Sequence, residues 1–529
     1  MTYWGASFLA VFLPLTIIIY NIVPQKHRWK VLLVASAAFF WSISSKLIVY
    51  LIFTTIIMHE FGLWFAVNQK EKEEKLQNCE KEQRKQIKQE YLKKQRKVLV
   101  FTSLIQIGIL AVLKYSGFFA SNINNLLSFL NIPIQIPISR FLIPIGISFY
   151  TLQAVSYMID VYKEKIKPEA NIFKLALFIS FFPQIMEGPI CRYSETAEQL
   201  YKGEKVTYHT LTFGLQRMLY GMMKKMVIAD RLNPIVTNIF CDYAKYDGGI
   251  VAVGMILYTL QLYMDFSGTM DIVIGIAEIF GVKMPENFRQ PFFSKTISEF
   301  WTRWHITLGA WFRDYIFYPV SLTDKCKKLT TKLRKKVGNF YGPLAASTIA
   351  LFCVWICNGL WHGEAWNYIF FGMYHFTLIL IGRVIEPLVK KVNDKLHINS
   401  NNFIYKGLQI IRTTILVFIG ELFFRADGLS TGIVMFKEMI TKFSFNLIKD
   451  GTILQLGIDK ADFIIVAITV IIIFVISLLK EKKVNIRESI ANKNIVVRWT
   501  LYYALILMII IFGAYGIGYI PVDPMYAQF

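Results

Sequence analysis

Apolar blocks close to the length that crosses a bilayer recur along the whole chain. A spanning helix needs about 20 predominantly apolar residues. Blocks of that order lie at about 6–23, 31–44, 46–67, 98–115, 141–159, 171–186, 211–228, 249–266, 343–361, 366–385, 405–424, 461–480 and 498–520. The expected fold is therefore all-α: a polytopic membrane helical bundle of roughly 11 to 13 segments, some short or interrupted enough to be re-entrant. Charged residues make up 18% of the chain and apolar ones 55%, whereas a soluble protein carries about a quarter charged.

The net charge is +22. In a soluble chain that excess would suggest nucleic acid as a partner. Here Lys and Arg sit mainly between apolar blocks, as cytoplasmic loops do, and no basic stripe alternates with aromatics for base stacking. Nucleic acid is set aside, and the bilayer is the expected partner. No Lys or Arg precedes the first block, so it lacks the basic start of a cleavable signal. The next loop, PQKHRWK (24–30), is basic, which places the N-terminus outside and that loop in the cytoplasm.

Two polar stretches interrupt the pattern. Residues 69–97 mix Lys, Glu and Gln with opposite charges at i,i+4, as in Glu71–Lys75. They read first as a solvated connector, with extension of a helix into the cytoplasm as the alternative that these pairs would support. Residues 322–337 read as a second basic cytoplasmic loop facing anionic headgroups. The expected organisation is N-terminal membrane helices at 1–68, the charged segment at 69–97, a core at 98–400 and C-terminal membrane helices at 401–529.

Chemistry concentrates in two places. Between Gly281 and Val320 the chain carries Pro285, Pro291 and a capping-box pattern, Thr296-Ile-Ser-Glu299. Trp301, Trp304, His305, Leu308 and Trp311 then recur at helical spacing, which predicts one amphipathic helix too polar to face lipid all round. Further on, His362 follows an apolar run in NGLWHGEAW. An ionisable residue at membrane depth is costly and marks function by default, although membrane histidines also serve as interhelical hydrogen-bonding residues. His375, in GMYHF, reads as structural.

Several chemistries have no sequence support. There is no GxSxG elbow, no phosphate loop, no GxGxxG and no second histidine after His59-Glu60. Cys353 and Cys357 share a helix face without a partner pair, so no metal site is expected. A neutral imidazole can take a proton from a hydroxyl that attacks a thioester, with no cofactor and no enzyme nucleophile. His362 and His305 are the candidate catalytic pair. Asn358, one turn before His362, together with Trp361, Trp304, Arg313, Asp314 and Asp265, are the candidate substrate or tunnel residues. Gly359 and Gly363 would let an acyl chain or a backbone approach closely.

At these residues the chain closely resembles membrane-bound O-acyltransferases, in particular the bacterial branch of alginate O-acetylation membrane proteins. The segments that carry the resemblance are FLIPIGISFYTLQAVSYMIDVY (141–162), FFPQIMEGPICRY (181–193), LYMDFSGTMDIVIGIAEIFGVKMPENFRQPF (262–292), ISEFWTRWHITLGAWFRDYIFYPV (297–320), NGLWHG (358–363) and FFRADGLSTGIVMF (423–436). The resemblance implies a bundle around a central tunnel, with His362 matching the catalytic histidine and His305 the second one. It implies acetyl-CoA or another acyl thioester as donor substrate. It also implies a partner with an SGNH hydrolase-like domain outside the cell, an extracellular glycan as acceptor, and residence in the bacterial cytoplasmic membrane. The chain departs from the usual pattern at Asn358, at Thr269-Met270 and at Glu187, which bears on substrate preference more than on transfer chemistry. Two rivals remain: D-alanyl transfer from a carrier protein to teichoic acid, and a proton-coupled transporter or channel.

Overall fold

In the computed structural model the described residues are 1–138, 141–515 and 519. Among them there is no strand, only an isolated antiparallel bridge between Phe288 and Trp304. Each expected apolar block contains helix among the described residues, although 141–146 and 181–186 are not helical and 516–518 and 520 lie outside the described residues; the protein is an all-α, multi-pass membrane protein. Among the described residues eight helical stretches are long and apolar enough to span, fewer than the expected 11 to 13. The difference comes mostly from shorter helices. The block at 141–159 yields a helix of 16 residues and the block at 171–186 one of 9. The contacts divide the chain into two units: Met1–Leu215 with Val273–Pro285, and Gln216–Ile272 with Glu286–Phe529.

The first unit begins with α1 (Leu13–Ile22), α2 (Arg28–Ser44), α3 (Ile48–Gln77) and α4 (Arg84–Phe129). It continues with α5 (Ile147–Tyr162), α6 (Ile172–Ser180), α7 (Tyr193–Lys202) and most of α8 (Tyr208–Met222). The charged segment is not a loose connector. It forms the polar ends of α3 and α4, joined by a short turn. Glu71 and Lys75, expected to pair with each other, both turn to Tyr91: its hydroxyl donates to Glu71 at 3.5 Å, and the Lys75 ammonium lies 5.3 Å from the ring centre.

Residues 181–191 are irregular yet buried throughout. Such backbone survives at membrane depth only when protein groups satisfy it. Here the Phe182 N–H donates to Ser36 Oγ at 3.0 Å, and Gln184 Nε2 donates to the Phe178 carbonyl at 2.9 Å. Gly146 approaches this segment with φ +80°, where an added Cβ would lie 1.8 Å from the Ile185 carbonyl oxygen. No other residue type fits there.

The second unit continues through α9 (Asp230–Cys241) and α10 (Gly248–Ile279), whose last turns belong to the first unit. It then holds α11 (Ile297–Arg303), α12 (Ile306–Phe312), α13 (Tyr318–Ser321), α14 (Asp324–His362), α15 (Trp366–Lys395) and α16 (Phe403–Arg425). The C-terminal part adds α17 (Leu429–Thr441), α18 (Asn446–Lys449), α19 (Lys460–Glu481), α20 (Ile486–Ala491) and α21 (Ile495–Phe512). The expected basic loop at 322–337 is the first arm of α14. The chain reverses at Gly338 (φ 84°), so closely that a Cβ on Gly342 would sit 2.5 Å from Arg334 Cα. The second arm of α14 carries Asn358, Gly359, Trp361 and His362 at its end.

Candidate functional site

The site grows out of two local devices. In the first, α14 and α15 touch backbone to backbone. A Cβ on Gly359 would lie 2.7 Å from the Tyr368 carbonyl oxygen, and one on Gly372 would lie 2.5 Å from that of Trp355. Small residues permit such contact between membrane helices. The backbone that Gly359 admits is therefore α15, and Gly363 admits the Tyr368 ring. This contact fixes His362 among Trp361, Phe371 and Phe424, whose rings lie 5.1, 5.9 and 5.1 Å from its own. His362 is 3% exposed.

The second device holds His305. The predicted continuous amphipathic helix is broken here: α11 stops at Arg303, α12 starts at Ile306, and His305 lies between them at φ 46°, ψ 52°. A side-chain-bearing residue occupies this left-handed region only when its surroundings over-determine it. They do so through residues 287–289. The Ile306 N–H donates to the Asn287 carbonyl at 3.0 Å, and the Arg289 N–H donates to that of Arg303 at 2.9 Å. Thr296 caps α11 as expected, accepting from the Glu299 N–H at 3.0 Å, while Glu299 reaches back one residue further, to the Lys295 N–H at 2.9 Å.

The two histidines share one neighbour. The Trp361 ring lies 5.4 Å from the His305 ring and 5.1 Å from that of His362. Trp304 stacks on Phe300 at 5.4 Å and meets Phe288 edge-on at 5.1 Å. His305 lies outside the eight spans, and burial pushes its imidazolium down to about 3. The ring is therefore neutral at pH 7, the state in which an imidazole can accept a proton.

The chain matches the membrane-bound O-acyltransferase family over residues 38–333, more than half of its length. It belongs to that family. His305 lies within the matched region and His362 beyond it. This acyltransferase is 28% identical over 444 residues to the probable alginate O-acetylase AlgI of Azotobacter vinelandii, covering 83% of the chain and 78% of the relative. It is 27% identical over 373 residues to the peptidoglycan O-acetyltransferase of Helicobacter pylori, covering 65% and 64%. It is 33% identical over 251 residues to the teichoic acid D-alanyltransferase of Bacillus subtilis, covering 47% and 60%.

The remaining candidates of this O-acyltransferase are placed as follows. Asn358 is buried beside His362 on α14, and its Oδ1 has no hydrogen-bond partner among the described residues. Arg313 and Asp314 pair with each other at 2.9 Å at the start of a π-turn, Arg313–Phe317. Asp265 pairs with Lys225 at 2.7 Å, and Lys225 also holds Asp230 at 2.6 Å. His375 is buried in a cage of Trp301, Trp355, Phe371 and Tyr374, with ring centres 4.7 to 5.6 Å away.

Sequence reasoning passed over two features of this acyltransferase. One is Asn287, which reads as an ordinary polar residue in PENF. The other is the set of charged partners around Asp271 of α10. There Lys224 meets Asp271 at 2.5 Å, and Arg217 bridges Asp271 at 3.0 Å and Glu286 at 2.6 Å. The signal for this set was present: Lys224 and Lys225 stand inside an apolar block that elsewhere carries few charges. They lie in the π-helical stretch Met223–Ala229, whose wider turns re-aim side chains.

Proposed function

We propose that this acyltransferase moves an acetyl group from a thioester donor on the cytoplasmic side toward a hydroxyl acceptor on the far side of the bacterial cytoplasmic membrane. The single observation that supports this best is the pair of buried imidazoles, His305 and His362, flanking one indole at the heart of the second unit. In this reading the acceptor oxygen attacks the thioester carbonyl while His362 takes the hydroxyl proton. The new C–O bond forms, the C–S bond breaks, and the imidazolium returns the proton to the departing thiolate. An ester and a free thiol result. His305 orients the hydroxyl or shares its proton, and Asn358 polarises the carbonyl. Acetyl-CoA is the proposed donor, with no resident cofactor. The basic arms at 69–97 and 322–337 would face the cytoplasm and attract its phosphates.

The alginate and peptidoglycan relatives support a glycan as the final acceptor, reached through an extracytoplasmic partner with a hydrolase-like acyltransferase domain. A second reading, D-alanyl transfer from a carrier protein to teichoic acid, is favoured by the identity to the Bacillus relative, over a shorter stretch. Membranes containing the full chain, given labelled acetyl-CoA or a charged carrier protein, separate the two. Label should leave acetyl-CoA with the wild-type protein and not with His362→Ala at equal membrane content. Transfer by His362→Ala at the wild-type rate removes that residue from the mechanism, and transfer only from the carrier protein replaces the first reading with the second.

A further inference from the structure

Asn287 is fully buried, and its amide is held in one orientation. Its Oδ1 accepts from the Thr307 backbone N–H at 3.1 Å and from the Thr307 hydroxyl at 2.9 Å, while Nδ2 lies 3.2 Å from Met270 Sδ. A backbone N–H can only donate. The atom it faces must therefore be the carbonyl oxygen of the amide, which settles the choice that an isolated asparagine leaves open. The same Oδ1 lies 3.2 Å from Nδ1 of His305. An acceptor opposite Nδ1 requires that nitrogen to carry the proton. In a neutral imidazole one nitrogen donates and the other accepts, so the lone pair resides on Nε2.

We infer that Asn287 is a positioning residue for acyl transfer: it holds His305 in the Nδ1–H form and aims the proton-accepting Nε2 away from the 287–289 loop. The inference deepens the proposed function and rests on it for the role of His305, but not for the protonation pattern. Three independent features converge on this task. The backbone of Asn287 pins Ile306, its side chain pins both Thr307 and the ring, and His305 occupies the left-handed conformation between two helices. Burial keeps the ring neutral, so the tautomer is a real choice that the protein must make. A ring held in the other tautomer would present an N–H where the acceptor hydroxyl needs a lone pair.

The experiment uses the full chain in lipid, labelled with ¹⁵N-histidine, with the His305 signals assigned by their loss in His305→Ala. The wild-type ring should show a protonated Nδ1 and an unprotonated Nε2. The opposite pattern, or a doubly protonated ring at pH 7, overturns the inference whether or not acyl transfer is ever detected. Kinetics supply the second arm. Asn287→Leu, similar in volume but without an acceptor, should lower kcat about 100-fold or more with the donor KM unchanged. Asn287→Asp, which keeps an oxygen opposite Nδ1, should recover most of that loss. Equal activity in the leucine variant, or equal loss in both at matched folded content, contradicts the assignment. A wild-type protein with the expected tautomer but no transfer activity would sink the functional reading alone.

Discussion

Lys225 and Asp265 meet at 2.7 Å with side-chain exposures of 0% and 3%, an ion pair almost wholly shut off from solvent. A pair so enclosed gains little net stability, because desolvating both charges offsets their attraction, yet losing one partner strands the other. Lys225→Met should therefore cost about 3–5 kcal/mol, since it abandons Asp230 as well as Asp265. Asp265→Asn should cost less and leave turnover per folded molecule intact. Thermal unfolding in detergent, paired with activity normalised to folded protein, reads both. A stable Asp265→Asn protein that has lost turnover would return Asp265 to the substrate path.

The crossing of α14 and α15 leaves no room for a methyl group at either glycine. Gly359→Ala and Gly372→Ala should each destabilise by about 1–3 kcal/mol, as overpacked cores do. Gly359→Ala should also impair transfer by displacing His362, three residues along the same helix. A Gly372→Ala protein with an unchanged melting temperature would mean that the helices separate freely.

At His305 the backbone and the ring make opposite demands. Left-handed geometry costs a side-chain-bearing residue about 1–2 kcal/mol, and glycine escapes that cost. With the ring removed in both, His305→Gly should unfold at a higher temperature than His305→Ala, by the equivalent of about 1 kcal/mol. Both should be poor catalysts. Equal stability of the two variants would show that the bend relaxes once the imidazole is gone.

Acid should weaken the fold through the same residue. The folded imidazole titrates near 3 and an unfolded one near 6.5. Between those values the unfolded chain binds more protons, so the contribution of His305 is complete above about pH 6.5 and declines as pH falls toward 3. Unfolding measured from pH 7 down to about 5 should show a smaller loss for His305→Ala than for the wild type. Parallel curves would place water against the ring.

How much of this was legible in the residues varies from place to place. Apolar length and the period of helices are local, so each expected block contains helix among the described residues, and the WHG and TRWH segments drew attention because an imidazole is costly in hydrocarbon. The break at His305 was not legible. Trp301, Trp304, Leu308 and Trp311 keep helical spacing straight through it, and the force that bends the chain comes from residues 287–289, which no window around His305 contains. The charged segment misled in the opposite way: its i,i+4 charges suggested pairs within one helix, whereas Glu71 and Lys75 settle on a tyrosine of the neighbouring helix. The basic run at 322–337 was read as a loop because its charge set it apart from the apolar blocks. The structure makes it a helical arm that folds back at Gly338, bringing Arg334 against Gly342.

The polar ends of α3 and α4 have a mechanical consequence. Beyond Val67 and before Val98 the two helices run on for about 15 and 21 Å at 1.5 Å per residue, and Lys94 over the Trp64 ring braces the joint where they leave the apolar part. Braced in this way, the pair behaves as a stanchion and not as a tether. Whatever meets its tip is held at a set height above the lipid, and a reporter placed at Cys79 would measure that height directly.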